Sequence, residues 1–251
     1  MKLHRAERER YILDRLAADG SLNVSQLARV LDVSEVTIRA QLRELESRGL
    51  LTRTHGGAKP TSVANVLERQ LEREAEKRRI AQQAAELVRD GDYIMIEAGT
   101  TTSGIVRHLT ARRDVQIVTN STLVFGHARH NNALSVILTG GTFHRPSESL
   151  VGPIAIRTLR DFHVRIAFVG TDGLTRARGL TTQFAEGADV IAAMQAQADE
   201  TWLVADSSKF GKSGFVHVLA MEQLTGIITD TGLGPEHRDE VTAAGIELRL
   251  A

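Results

Sequence analysis

The 251-residue chain contains no cysteine, which excludes disulfides, thiolate metal sites and cysteine nucleophiles at once and suits a reducing compartment. Its opening, MKLHRAERER, lacks the apolar stretch of a secretory signal, and no run approaches the roughly 20 apolar residues that span a bilayer. The sequence therefore reads as cytoplasmic. Net charge is missing as well, with 31 Lys and Arg against 31 Asp and Glu. That balance is uneven along the chain, since residues 1–60 carry +3 and the remainder −3. The lean toward nucleic acid at the front is slight beside the excess of strongly basic domains. Catalytic and metal signatures are absent too: there is no H-E-x-x-H pair, no G-x-S-x-G elbow, no Walker loop and no dinucleotide G-x-G-x-x-G. His127 and His130 are three apart but have no third ligand in the pattern, so they read as surface histidines. What is present is 42% hydrophobic residues, enough for one large core or two smaller ones.

In RYILDRLAADG, Ile12, Leu13 and Leu16 share one helical face and Gly20 stands where a helix should stop. NVSQLARVLDVS comes next, with Asn23 and Gln26 in a capping-box spacing and Leu27, Val30 and Leu31 as an apolar stripe. Ser34 then caps a third helix in which Ile38, Leu42 and Leu45 stack at i, i+4 and i+7, ending at Gly49. At about 100° per residue, the opposite face carries Val36, Arg39, Ala40 and Arg43, with Thr37 at its edge. LLTRTHGGAKP next places Leu51, Arg53 and His55 around a Gly-Gly corner, the pattern of a two-stranded hairpin flanked by positive charge. Alone, a helix with two arginines is more often a solvated face. Followed by a wing, the third helix is placed to read base edges in a major groove, while Arg43, Arg53 and Lys59 neutralise phosphate.

The stretch VSEVTIRAQLRELESRGLLTRTHGGA resembles the winged helix of the DeoR family of bacterial transcription regulators, whose pattern runs V-S-x-x-T-I-R-x-D-L-x-x-L-x-x-x-G-L-x-x-R-x-H-G-G-A. Gln41 departs from it, standing where the family has Asp. The resemblance implies DNA-facing roles for Ser34, Thr37, Arg39, Arg43, Arg53 and His55.

Residues 59–65 read as a loop, and VLERQLEREAEKRRIAQQAAELVRDGD as a long helical stretch. Its first half is charged and thinly apolar, at Leu67 and Leu71; its second half has a core-facing stripe of Ile80, Ala84, Leu87 and Val88. From Tyr93 onward, six β-rich runs alternate with helical patterns: YIMIEAG, VQIVTNS, LSVILTGG, VRIAFVGTDG, TWLVADSS and GIITDTG. Nearly continuous apolar strands of this kind indicate a mostly parallel, doubly wound α/β domain whose ligand lies beyond the strands' carboxyl ends. The expected organisation is a winged helix-turn-helix domain over 1–60, a connector over 61–78 and an α/β effector domain over 79–251. Glu97, Gly99, Thr100, Thr101, Thr102, Asn120, Ser121, Gly140, Gly141, Asp172 and Lys209 fall at the strand ends, with Asp230. In EAGTTTSGIVRHL, glycine, threonine hydroxyls and a helix start make a cup for a phosphate monoester, with Lys209 as counter-charge. A threonine-capped helix without ligand is the plainer reading of that loop alone.

The resemblance continues through GTTT, TNS, LTGG, LVGP, FVGTDGL, GLTT and ADSSKFG, with Glu97 where the family has Asp. It implies an effector domain built like sugar-phosphate isomerases that senses phosphorylated sugars. It further implies a homo-oligomeric repressor, dimer or tetramer, that binds double-stranded operator DNA and needs no cofactor. The competing reading is an isomerase with a fused winged helix, using Glu97, Asp172 or Asp206 as base and Lys209 to stabilise an enediolate.

Overall fold

The computed structural model describes residues 4–19, 21–47, 50–59 and 66–251. The helix stops expected at Gly20 and Gly49, residues 60–65 of the loop expected over 59–65, and the side chains of Lys59 and Leu67 lie outside the described residues, while the backbone of Lys59 ends a strand and not a loop. Two units divide the chain, Met1–Arg69 and Gln70–Ala251.

In the first unit, α1 (Arg5–Asp19), α2 (Val24–Leu31) and α3 (Glu35–Ser47) surround one core. Ile12, Leu16, Leu27, Leu31, Ile38, Leu42 and Leu45 are all buried there. Asn23 caps α2 by accepting from the N–H groups of Ser25 at 2.9 Å and Gln26 at 3.2 Å, as the capping pattern requires. The apolar stripe of α2 needs one correction: Val24, Leu27, Ala28 and Leu31 point inward, while Val30 is exposed. The buried set runs i, i+3, i+4, i+7, and Val30 lies one residue off that face. Asp32, in a left-handed turn at φ 52°, reverses the chain into α3.

The wing also departs from expectation, because β1 (Leu22–Asn23), β2 (Thr52–Thr54) and β3 (Gly57–Lys59) form three antiparallel strands in the order β1-β3-β2. Two residues before α2 thus join the hairpin.

In the second unit the expected long helix is interrupted. A short α4 (Val66–Leu71) carries the boundary between the units, and α5 (Glu74–Glu86) starts only after Arg73, whose φ of 51° is left-handed. Beyond it run β4 (Tyr93–Ile96), β5 (Val115–Thr119), α6 (Thr122–Ala128), β6 (Leu134–Leu138), β7 (Thr142–His144), β8 (Ser149–Val151) and α7 (Pro153–Arg160). The remainder is β9 (Val164–Val169), β10 (Gly173–Thr175), β11 (Gly179–Thr182), α8 (Ala185–Gln195), β12 (Ala198–Val204), β13 (Val216–Leu219), β14 (Gly226–Thr229), α9 (Pro235–Ala243) and β15 (Glu247–Leu250).

Seven of these strands form one sheet in the order β15-β14-β12-β9-β4-β5-β6, and every pairing in it is parallel. Strand alternation divides the core between its faces. Ile94, Ile96, Ile166, Phe168, Trp202 and Val204 pack with Ile80 and Ala84 of α5 on one side. Met95 and Ala167 pack with Leu159, Val190 and Met194 of α7 and α8 on the other. Two small antiparallel sheets complete the unit, β7-β8 and β10-β11-β13. Among the described residues no helix is long and apolar enough to cross a membrane.

Candidate nucleic-acid face and effector crevice

Helix α3 begins with a cap rather than a free hydroxyl. Ser34 Oγ accepts the Thr37 N–H at 3.1 Å and lies 2.9 Å from Thr37 Oγ1. One stripe of α3 then stays in water, made of Val36, Arg39, Ala40 and Arg43, as the periodicity predicts. Arg39 is paired with Glu35 at 3.2 Å, four residues back, and Arg53 in β2 with Glu46 at 2.6 Å. Exposed pairs of this kind contribute only about 0.2–1 kcal/mol, so phosphate can replace either carboxylate at little cost. Arg43 has no partner among the described residues. His55 is exposed at the turn between β2 and β3.

Gln41, the departure from the DeoR pattern, turns inward, away from the exposed stripe of α3. It is buried, donates to the Arg5 carbonyl at 3.1 Å and accepts from Arg8 Nε at 3.3 Å, tying the start of α1 to α3.

In the second unit, the chain leaves β4 toward β5 and leaves β9 toward β12, in opposite directions across the sheet. The carboxyl ends of β4 and β9 therefore flank the topological switch point, where open α/β sheets bind ligands. Glu97 comes directly after β4 and crosses this gap, accepting the Gly170 N–H at 3.1 Å. A Cβ on Gly170 would stand 3.2 Å from that carboxylate oxygen, so the glycine keeps the approach open. Replacing Glu97 with Ala leaves a part-buried N–H unpaired and should destabilise the second unit by about 1–3 kcal/mol, whereas Glu97→Gln retains an acceptor and should cost less. Urea unfolding followed by Trp202 fluorescence checks this; equal losses in both variants would contradict the bond's role.

The loop after β4 splits into two kinds of residue. Thr102 is fully buried, and its hydroxyl donates inward to the carbonyls of Glu97 at 2.7 Å and Gly99 at 3.1 Å. This corrects its expected place among the ligand donors, because the proton is committed to closing the loop. By contrast, the N–H groups of Gly99, Thr100 and Thr101 donate to no described residue. The chain then enters a seven-residue 3-10 helix, Thr102–His108, whose cap residue Thr101 makes no side-chain capping bond. The threonine-capped α-helix is thus replaced by a tighter turn with open amides at its mouth.

Asn120 and Ser121 are likewise structural. Asn120 accepts from the Ala98 N–H at 3.0 Å and donates to the Leu150 carbonyl at 3.3 Å, and Ser121 caps α6 through the Val124 N–H at 3.2 Å. They fasten the β7-β8 hairpin beside the end of β5. Gly140 and Gly141 admit that hairpin: both have positive φ, and a Cβ on Gly141 would lie 2.6 Å from the Val151 carbonyl oxygen. Asp172 accepts from the Gln183 N–H at 3.0 Å beyond β9. Lys209 lies half-buried in a 3-10 turn after β12, with no carboxylate partner among the described residues.

Arg73 is the side chain that sequence reasoning missed. From its left-handed position it donates to Asp230 at 3.0 Å and Ser207 at 3.1 Å, with Asp206 at 3.6 Å. Burial raises the Asp230 carboxyl, but bonds from the Ser207 N–H and hydroxyl, then the Arg73 charge, hold it below the ordinary range. One arginine among many in a charged stretch gives no periodic signal. His127 also differs from expectation, being half-buried, 3.1 Å from the Ser103 carbonyl through Nδ1 and 2.7 Å from Arg107 through Nε2. Burial keeps its ring below the usual histidine pKa. No group of three metal-ligating side chains occurs among the described residues.

Against this geometry, residues 8–63 match the DeoR-like helix-turn-helix domain and residues 72–231 the DeoR C terminal sensor domain. The HTH-type transcriptional regulator GlpR of Haloferax volcanii is 36% identical over 245 residues, covering 96% of each chain. The HTH-type transcriptional repressor CsqR of Escherichia coli is 34% identical over 219 residues, 86% of this chain and 84% of that one. A lactose phosphotransferase system repressor of Lactococcus lactis is 34% identical over 245 residues, 95% and 96% respectively. These relatives are regulators, and the isomerase reading is not favoured. Each carboxylate it would use as base already accepts a backbone N–H: Glu97 from Gly170, Asp172 from Gln183 and Asp206 from Ser208.

Proposed function

The chain belongs to the DeoR family and is a DNA-binding transcription regulator, not an enzyme; from that premise we propose that it represses carbohydrate-utilisation genes and releases its operator when a phosphorylated sugar binds. The observation that supports this reading most is the mouth of the β4 loop, where three unpaired N–H groups stand beside the switch point. Backbone amides there suit a phosphate head. We assign the effector's phosphate to the N–H groups of Gly99, Thr100 and Thr101 together with the Thr101 hydroxyl, its counter-charge to Lys209 and its sugar hydroxyls to Asp172. Ser34, Thr37, Arg39, Arg43, Arg53 and His55 meet the DNA, with Arg43 on a phosphate. The protein works in the cytoplasm as a homo-oligomer, dimer or tetramer, whose paired reading helices meet repeated half-sites.

The separation of roles is testable with a duplex selected from a random library and a panel of sugar phosphates. Arg43→Ala should weaken duplex binding, lower the salt slope by about one and leave the sugar-phosphate thermal shift intact. Thr101→Ala or Lys209→Ala should do the reverse. At 100 times its dissociation constant, a true effector adds about 2.7 kcal/mol to stability. If no sugar phosphate shifts the wild-type transition, the effector class is wrong.

A further inference from the structure

The start of α3 has its hydrogen-bonding groups engaged with one another at the surface. Ser34 and Thr37 bond each other and the helix backbone, and the Glu35 carboxylate takes the Ser25 hydroxyl at 2.5 Å and the Arg39 guanidinium at 3.2 Å. Between them stands Val36, 72% exposed on the reading stripe, with Ala40 exposed one turn on. A β-branched residue in the open costs helix propensity relative to Ala, and Val36 is not among the described residues that pack against the unit's core. An apolar group at this place on a major-groove helix has one complementary feature in DNA, the C5 methyl of thymine. Arg43, assigned above to a phosphate, would position the helix without reading sequence.

We propose that Val36, with Ala40 behind it, reads a thymine methyl, so that one position in each half-site is specified by apolar contact and not by a hydrogen bond. The proposal rests on the assignment of α3 as the DNA-reading helix. Val36 is a specificity residue on this account, and α3 folds without it.

The test uses the full-length protein, a duplex selected from a random library, and the same duplex with each thymine replaced in turn by deoxyuridine, which removes only the methyl. Wild type should lose about threefold to tenfold in affinity at one position per half-site, the scale of one buried methyl or somewhat more. Val36→Ala should bind the thymine and uracil duplexes equally at that position. Val36→Thr, which keeps the branched shape, guards against a folding artefact and should retain part of the preference. Equal wild-type affinity for thymine and uracil at every position overturns the proposal, as does a preference that survives intact in Val36→Ala. Failure to enrich any duplex would instead refute α3 as a DNA reader, and the proposal with it.

Discussion

Gly57→Ala should abolish duplex binding while leaving the sensor unit as stable as before. A Cβ at this position would stand 1.6 Å from the Leu22 carbonyl oxygen and 2.8 Å from its carbon. Those are backbone atoms of β1, which pairs with β3 through Leu22–Ala58 and Asn23–Gly57. The strand cannot retreat cheaply, because Asn23 is also the cap of α2, and the Val24 N–H is held by the Gly56 carbonyl at 2.9 Å. The substitution must therefore part the wing from α2, a backbone lesion of the class that costs more than about 4 kcal/mol. Gly56 supplies the control, since its added Cβ meets nothing within 4 Å, so Gly56→Ala should stay within about 0.5 kcal/mol. Trp202, the chain's one tryptophan, lies in the sensor unit and reports that unit's unfolding. A Gly57→Ala protein that still binds duplex with wild-type affinity would contradict the packing of the wing.

The second large effect lies at the amino ends of β4 and β9. Arg165 holds Asp92 through Nε at 2.9 Å and again through Nη2, and also donates to the Leu87 carbonyl at 2.7 Å. Both side chains are largely buried. Arg165→Ala would strand the Asp92 carboxylate and should cost the sensor unit about 3 kcal/mol at pH 7. The charge state sets the pH dependence. Burial raises the Asp92 carboxyl, yet bonds from Arg165 and the Arg89 N–H outweigh it and leave the pKa below the usual value. A lowered folded-state pKa stabilises above the unfolded value and ceases to do so as pH falls through the folded one. The gap between wild type and Arg165→Ala should therefore be widest near neutrality and narrow below about pH 4, where Asp92 is protonated in the variant. Urea unfolding followed by Trp202 fluorescence between pH 3 and 7 measures it; a gap that widens in acid would show that the ion pair is not its source.

Legibility in the sequence tracks the range of the interaction. Helices α2 and α3 could be read because capping and 3.6-residue periodicity are local. The six main strands could be read because burial on both faces makes each a continuous apolar run, as in Tyr93–Ile96 and Val164–Val169. Strand β15 and the small sheets were missed, for three or four residues of mixed polarity carry no period. The site was half legible. Polar residues at strand ends marked the crevice, but not which of them face it: Thr102, Asn120 and Ser121 hold backbone, a choice made by partners up to 30 residues away. The Arg73–Asp230 pair spans 157 residues, beyond any local pattern. Gln41, conspicuous only as a departure from a family pattern, and Glu97, read as a ligand or base, acquire structural roles once Arg5, Arg8 and Gly170 are beside them.

The most direct test of metabolite-controlled DNA release is a coupling measurement, because linkage is reciprocal. A sugar phosphate that shifts the wild-type melting transition is titrated into free protein and into protein saturated with its selected duplex. The account predicts weaker sugar-phosphate binding in the duplex complex, by the same factor that the sugar phosphate weakens duplex binding, with that binding lost in Thr101→Ala. Equal affinity for free and duplex-bound protein, or undiminished binding by Thr101→Ala, would contradict it.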